Sequence, residues 1–414
     1  VTAPAFVFPD NAAALAATRE LGRAGVPVTL ITSRDGPASL SKYAKVVRAP
    51  DFYDDPASWC AFVVQLARKS AERPVLIPTE DAALLVAESF HAELSSVVRF
   101  PYPAPGVLPR ILDKLELYAE AEKLGIGVPK SREITGADDE APSDDAWIVK
   151  PSCRYHFDRA RGVTTFLSMS GGSKAFEGSV AGAAARVREA GFRCMVQELV
   201  PGPFEELVSV GLCLDRDGRL LTSFSTRKRC EYPEPFGDGL VVETIEDPGI
   251  LGPALELLRK LGYWGICDVE FKRDSRDGRM KLLDANPRVW LWVGLGPDSG
   301  SSPLALTAYR LALAEGRLSS EFATEFQPPA DAASPPRGRP GLTWVSPRGA
   351  AAFLLKQYRP AQHGVSLLSG LTLGVLRTML RNSRAFRDPL YARPSTWRRL
   401  LQAAASGRHR KHRI

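Results

Sequence analysis

The stretch LLDANPRVWLWV, residues 282–293, decides how this chain is read. An apolar run breaks into Asp284, Asn286, Pro287 and Arg288, then returns to Val, Trp and Leu. A carboxylate, an amide and a guanidinium beside large apolar groups are costly to bury without partners. The preceding segment GICDVEFK (265–272) alternates, with Cys267, Val269 and Phe271 on one face and Asp268, Glu270 and Lys272 on the other. Between the two lies the turn signal SRDGR. A hairpin with a three-residue loop, Arg276–Asp277–Gly278, sets Glu270 opposite Asp284, with Gly278 in the left-handed position. Two carboxylates about 5 Å apart on adjacent strands repel unless a cation lies between them. Mg²⁺ suits that place, because it prefers oxygen and shares one or two carboxylates with substrate phosphates. Asn286 adds an oxygen, and Arg288 faces charge on a transferred phosphoryl group. The alternative is a surface hairpin with solvated acids.

Outward from this hairpin, the first hundred residues alternate strand and helix. AFVF (5–8), VPVTLIT (26–32) and VLIP (75–78) read as strands. Helices are expected over 11–25, around 57–70 and over 79–94, the last with Thr79 as N-cap and Asp81 in its first turn. The pattern implies a small parallel sheet. GxGxxG is missing after the first strand, where Pro9, Asp10 and Asn11 stand instead, so a dinucleotide site is poorly supported. Prolines 101, 103, 105 and 109 mark a linker. A helix over 112–129 follows. Strands are then expected at WIVKPS (147–152), 195–202, 207–215 and 219–228, with helices over 248–262 and 303–315. Residues 162–180 read as a hairpin or a Gly-rich flap. Lys150 stands alone in an apolar strand and needs an anionic partner or a strand-end position.

The bulk numbers bound the answer. A chain of 414 residues exceeds one ordinary core, and 44% apolar content is that of a globular protein. Six scattered cysteines without a CxxC pair favour reduced thiols over disulfides or zinc. No leader is evident, and no segment reaches the roughly 18 apolar residues of a spanning helix, so a cytoplasmic protein is expected. The net charge of +7 hides an asymmetry. Residues 337–414 hold 16 Lys/Arg and one acid, leaving 38 basic and 46 acidic residues before them. The basic arm mixes arginine with Trp, Tyr and Phe, which suits an anionic membrane surface at the inner face, and nucleic acid less well. A solvated arm, or one packed on the core or a second subunit, is the plainer reading.

Several motifs, in order, resemble those of ATP-grasp enzymes of the carbamoyl-phosphate-synthetase-like, carboxylate–amine ligase branch. These are SLSKYAKVVRAP (39–50), LIPTEDAAL (76–84), DKLELYAEAEKLGIGVPKS (113–131), WIVKPS, VQELVPG, FSTRKRCEYPEPFGDG and the 262–288 hairpin. The resemblance covers roughly 1–315. It implies an α/β and α+β fold: a Rossmann-like preATP-grasp domain (1–108), then a two-lobed ATP-grasp domain (109–325, small lobe about 145–200). A Pro-rich linker (326–341) and a basic helical extension (342–414) follow. The implied activity is ATP-dependent joining of a carboxylate to an amine or similar nucleophile through an acyl phosphate, with ATP and Mg²⁺ as cofactors and Mn²⁺ as a substitute. The substrates are small molecules, lipid- or glycan-linked forms being open, and homodimers are common in the family.

Residue roles implied by the resemblance are as follows. Lys114 and Lys150 contact ATP phosphates. Gln197, Glu198 and Val200 form the adenine hinge. Glu205 holds the ribose, with Glu206 as its alternative. Arg227 and Lys228 face the phosphates. Glu270, Asp284 and Asn286 bind metal, and Arg288 faces phosphate. Gly171, Gly172 and Lys174 match the phosphate flap loosely. The shorter Asp284 stands where Glu is more usual. His91, His156 and His363 have no role. A catalytically weak nucleotide-binding scaffold or sensor, recruited by the basic tail, is the alternative function. A polynucleotide-binding protein acting through that tail is the third.

Overall fold

The computed structural model describes residues 2–135, 147–158, 163–166, 180–189, 191–232, 238–296, 302–316 and 338–346. Gly171, Gly172, Lys174, His363, most of the 326–341 linker and residues 347–414 lie outside these.

The N-terminal sheet is parallel, in the order β3-β2-β1-β4, from β1 (Ala5–Phe8), β2 (Val28–Thr32), β3 (Ala44–Arg48) and β4 (Val75–Pro78). Its strands are nearly all apolar because both faces are covered. Phe6, Phe8, Ile31 and Leu76 meet Trp59 and Val63 of α2 (Pro56–Arg68) and Ala83 of α3 (Asp81–Ser89). The opposite face packs on α1 (Ala12–Arg23), capped by Asn11, whose Oδ1 accepts the Ala14 N–H at 2.9 Å. The helix expected over 79–94 divides at Phe90, α4 (His91–Leu94) following. Thr79 is not its N-cap. Its hydroxyl donates to the Phe8 and Pro9 carbonyls at the sheet end, and Glu80 occupies the cap position without a side-chain cap bond.

Asp10 explains the missing dinucleotide motif. Its carboxylate accepts the backbone N–H groups of Gly36, Ala38 and Ser39 at 2.7, 2.7 and 3.0 Å. These amides form an anion-binding concavity, and the chain fills it with its own side chain.

Beyond α5 (Val107–Leu112), Asp113 breaks the expected 112–129 helix and N-caps α6 (Lys114–Lys123), accepting from the Leu115 and Glu116 N–H groups. The small lobe begins earlier than expected, at β5 (Ser131–Ile134). Its sheet is β5-β9-β6, with β6 (Trp147–Pro151) and β9 (Cys194–Glu198). Val149 and Val196 pack against Ala184 and Val187 of α7 (Val180–Glu189). A separate hairpin joins β7 (Tyr155–Asp158) to β8 (Val163–Phe166).

The large lobe is a six-stranded antiparallel sheet in the order β14-β13-β10-β11-β12-β15. Its strands are β10 (Leu207–Leu214), β11 (Leu220–Tyr232), β12 (Asp238–Ile245), β13 (Gly265–Arg273), β14 (Met280–Asn286) and β15 (Thr343–Val345). The last corrects the expected arm boundary: residues 343–345 are not helical but pair with β12 at the sheet edge. One sheet face buries Val210, Leu212, Cys267, Val269 and Phe271 against α6 and α8 (Leu251–Lys260). The other carries Phe224, Ile266, Trp290 and Trp292 into a core shared with α1 and α9 (Leu304–Leu313). The N-terminal domain is thereby packed on the six-stranded sheet.

Candidate active site

The sequence places Glu270 opposite Asp284, and the structure pairs them. The route differs. Near the turn the ladder runs Arg273↔Met280, Lys272↔Lys281 and Phe271↔Leu282, and Asp274 N donates to Arg279 O at 2.9 Å. The loop therefore has four residues, Ser275–Gly278, with Gly278 at φ +73°. A bulge at Leu283 then shifts the register by one. Without it, Leu283 would face Glu270 and Asp284 would turn to the apolar side. The bulge also explains why Leu282 and Ala285, three apart, are both buried.

The exposed half of this sheet face forms the floor of a cavity of about 980 Å³, at the upper end of ligand-site volumes. Asp268, Glu270, Asp284 and Asn286 reach the floor from two successive cross-strand rows. Phe224, Gly211, Asp268 and Asn286 form the inner row; Thr226, Ser209, Glu270 and Asp284 form the next. Ile148, Lys150 and Gln197 of the small lobe form the roof, and Leu199, Val200 and Phe204 the hinge side. Asn11, Thr79, Glu80 and Asp81 of the N-terminal domain close one wall, with Arg154 and Tyr155 beside them.

Charges in the cavity are paired. Lys114 Nζ donates to Asp284 Oδ1 at 2.8 Å, and Lys228 Nζ to Glu270 Oε2 at 2.9 Å. Burial disfavours the Lys114 ammonium, but Asp284 outweighs it and raises its pKa. Arg288 makes a two-pronged contact with Asp81, Nε to Oδ1 at 2.5 Å and Nη2 to Oδ2 at 3.2 Å, and donates to Asn286 Oδ1 at 3.0 Å. Burial opposes the guanidinium charge; Asp81 overcomes it and raises the pKa. Asp81 was read from sequence only as a helix-start acid, since nothing local announces a partner 207 positions away. Glu80, accepting from Tyr53 Oη at 2.6 Å, has its pKa raised by burial. Burial also pushes the Cys153 thiol up to about 11, which leaves it protonated at neutral pH.

Asp268 has the same facing as Glu270, one alternate position inward, and was assigned no role from sequence. It is 1% exposed, and neither oxygen makes a hydrogen bond of ordinary geometry among the described residues. The nearby Ser209 hydroxyl is joined to Thr226 Oγ1 at 2.9 Å. Burial, then the Glu270 charge, pushes the Asp268 carboxyl up to about 7, against the Ser209 hydroxyl, Lys228 and Arg288.

Some expected site residues lie elsewhere. Lys228 enters the cavity, but Arg227 does not: strand alternation sends it to the Val208 side of the sheet. Glu198 is likewise absent from the cavity lining. Its carboxylate accepts Lys281 Nζ at 2.7 Å, Arg276 Nη2 at 2.9 Å and the Lys130 N–H at 2.9 Å. Burial works against its charge, yet these donors hold the carboxyl below its usual range. Asp274, held low first by Arg276, shares the same two cations. This hub pins the hinge to the β13–β14 hairpin. Gln197 does line the cavity, with Oε1 accepting from Tyr118 Oη at 3.1 Å, and Val200 O accepts from Lys272 Nζ at 2.9 Å. Glu205 is exposed on a short turn at Phe204–Glu206, outside the lining, and Glu206 is tied to Arg273 at 3.1 Å. His91 stacks on Phe100 away from the cavity, and His156 lies on β7.

Among the described residues no three His, Cys, Asp or Glu side chains converge to hold a metal alone. Two carboxylates and an amide on neighbouring strands, facing a cavity lined by four lysines, are instead a donor set that would complete a Mg²⁺ shell with phosphate oxygens and water. Among the same residues no helix is long and apolar enough to cross a membrane.

No family model matches the sequence. A D-aspartate ligase from Enterococcus faecium (strain Aus0004) is 24% identical over an alignment of 271 residues that covers 61% of this chain. The match spans 62% of that protein, under two thirds of its length. An L-amino acid ligase from Bacillus licheniformis has a similar structure, with a TM-score of 0.56 and 15% identity over 79% of this chain and 78% of the other. An ADP complex of an N5-carboxyaminoimidazole ribonucleotide synthetase gives 0.59 and 12% identity, covering 92% of this chain and 97% of that one. At these identities the structural likeness establishes the fold.

Proposed function

We propose that this chain, whose fold is that of the ATP-grasp ligases, joins a carboxylate to an amine at the expense of ATP. The observation that carries this reading is the Glu270–Asp284 pair beside Asn286, Lys114, Lys150, Lys228 and Arg288 in one cavity. Gln197 and Val200 hold adenine at the hinge, and Glu205 reaches the ribose from the rim. Lys114 and Lys150 take the phosphates. Glu270, Asp284 and Asn286 would hold Mg²⁺, which would neutralise charge on the phosphate oxygens. Lys114 and Lys228 then exchange their carboxylate partners for phosphate. Arg288, fixed by Asp81, holds the substrate carboxylate in line with the γ-phosphorus.

A carboxylate oxygen forms the new P–O bond as the bond to ADP breaks. The amine nitrogen next bonds to the acyl carbon, the C–O bond to phosphate breaks, and the surplus amine proton passes to solvent. The names of two relatives, a D-aspartate ligase and an L-amino acid ligase, favour an amino acid as the carboxylate substrate.

The test is hydroxylamine trapping. The protein is incubated with ATP, Mg²⁺, hydroxylamine and each of a panel of D- and L-amino acids. ATP-dependent hydroxamate from at least one acid is expected. Its absence with every acid, while ADP still binds, favours the nucleotide-binding scaffold instead.

A further inference from the structure

We propose that the inner end of the cavity, at Asp268, Trp290 and Trp292, binds the nucleophile as a primary amine with a neighbouring carboxylate or carbonyl oxygen, the grouping of an amino acid or a peptide N-terminus. This inference rests on the ligase reading above.

Four of the unmet polar atoms among the described cavity residues belong to these side chains. Asp268 is 1% exposed, Trp290 3% and Trp292 5%. Among the described residues, neither Asp268 oxygen nor either indole Nε1 makes a hydrogen bond of ordinary geometry, the Ser209 hydroxyl being the polar group near Asp268, and all three side chains line the cavity. Buried polar groups are ordinarily satisfied, and each orphan is costly. Asp268 and Trp290 meet at Gly211, and Trp292 enters the same cavity beside Lys228. Asp268 pairs across the ladder with Gly211, and the Trp290 ring lies over Gly211 so closely that a Cβ there would come 2.3 Å from Cζ2. Trp292 lies under the Lys228 ammonium, 5.6 Å from ring centre to Nζ. Lys228 is itself bound to Glu270.

One carboxylate calls for a positively charged donor, and two N–H groups call for an acceptor oxygen. An α-amino group with its adjoining carbonyl or carboxylate supplies both within one small unit, and indole faces favour an ammonium. A lone hydroxyl or thiol nucleophile would bring Asp268 no charged donor of its own. Along β13, Asp268 is two residues from Glu270, about 7 Å. A nucleophile held there sits one row inward of the Glu270–Asp284 pair and directly across from Asn286, beside the acyl carbon that Arg288 would present.

The experiment uses the full chain, ATP, Mg²⁺ and whichever acid gives most hydroxamate. Glycine, glycinamide, L-lysine and ethylamine are offered as nucleophiles, and hydroxylamine trapping is run in parallel. Wild type should use glycine, glycinamide or lysine at least about tenfold better than ethylamine in kcat/KM. Asp268→Asn should lower amide formation relative to hydroxamate formation by at least about tenfold, the range for losing a hydrogen bond to a charged group. Trp292→Phe, which keeps an aromatic ring and removes one N–H, should raise KM for glycinamide more than for ethylamine. Equal use of ethylamine and glycinamide by wild type overturns the proposal. So does an Asp268→Asn variant whose hydroxamate and amide formation fall in parallel, because Asp268 would then act in carboxylate activation. Failure of hydroxamate formation by wild type with any acid removes the ligase reading itself.

Discussion

Replacing Asp81 by Asn tests whether the N-terminal domain takes part in catalysis. Asp81 holds Arg288 through two contacts, at 2.5 and 3.2 Å, with the two side chains 20% and 17% exposed. Asparagine keeps one acceptor and removes the charge and the second acceptor. A hydrogen bond to a charged group contributes about 1.5–3 kcal/mol. Asn286 Oδ1 still accepts from the same guanidinium at 3.0 Å, which argues for the lower part of that range. If the lost energy is that of holding Arg288 in place for phosphoryl transfer, kcat should fall about tenfold to hundredfold. The KM for ATP should change less than about threefold, because the lysines and the hinge are untouched. Steady-state phosphate release and hydroxamate formation both read this, with thermal unfolding as a control for folding. Combined with Arg288→Lys, the substitution should add little to the single Arg288→Lys defect. A kcat within twofold of wild type, or additive effects in the double variant, would refute the positioning argument.

Other expectations follow from the same coordinates. Glu270→Gln and Asp284→Asn should each lower phosphate release at least a hundredfold and weaken its dependence on Mg²⁺; a magnesium titration of the residual activity checks this. Asp274 and Glu198 both titrate below their unfolded values, so their stabilisation is complete above about pH 4–5 and is lost as pH falls through the lowered folded values. Urea midpoints should therefore drop steeply in acid, and Lys281→Met should lower the neutral midpoint and flatten that drop. Gly211→Ala would drive a methyl into the Trp290 ring. Overpacking of this kind costs about 1–3 kcal/mol, read as a lower melting temperature.

The Glu270–Asp284 pairing was legible because it needs only local information: an alternating strand, a Gly-containing turn and a second strand. The three-residue loop was nonetheless wrong. A four-residue loop and a bulge at Leu283 give the same Glu270–Asp284 pairing, so two departures cancelled. Strands such as β3 and β5 escaped notice because they are short and partly exposed, without an apolar run to mark them. Arg227 was misplaced for a different reason. Adjacent cations on a strand cannot share a face, and only knowing the sheet's buried side says which of the two enters. Glu198 looked like a hinge acid, but its partners Arg276 and Lys281 come from a hairpin some 80 residues later. Pairings across long sequence separations, including Asp81 with Arg288, leave no periodic signal.

The self-filled amide concavity at Asp10 has a consequence for the whole chain. A phosphate approaching the N-terminal sheet would have to evict a resident carboxylate that already satisfies three backbone donors. That domain is thus sealed as a second nucleotide receptor. It lends the shared cavity a wall and, through Asp81, gives Arg288 its anchor.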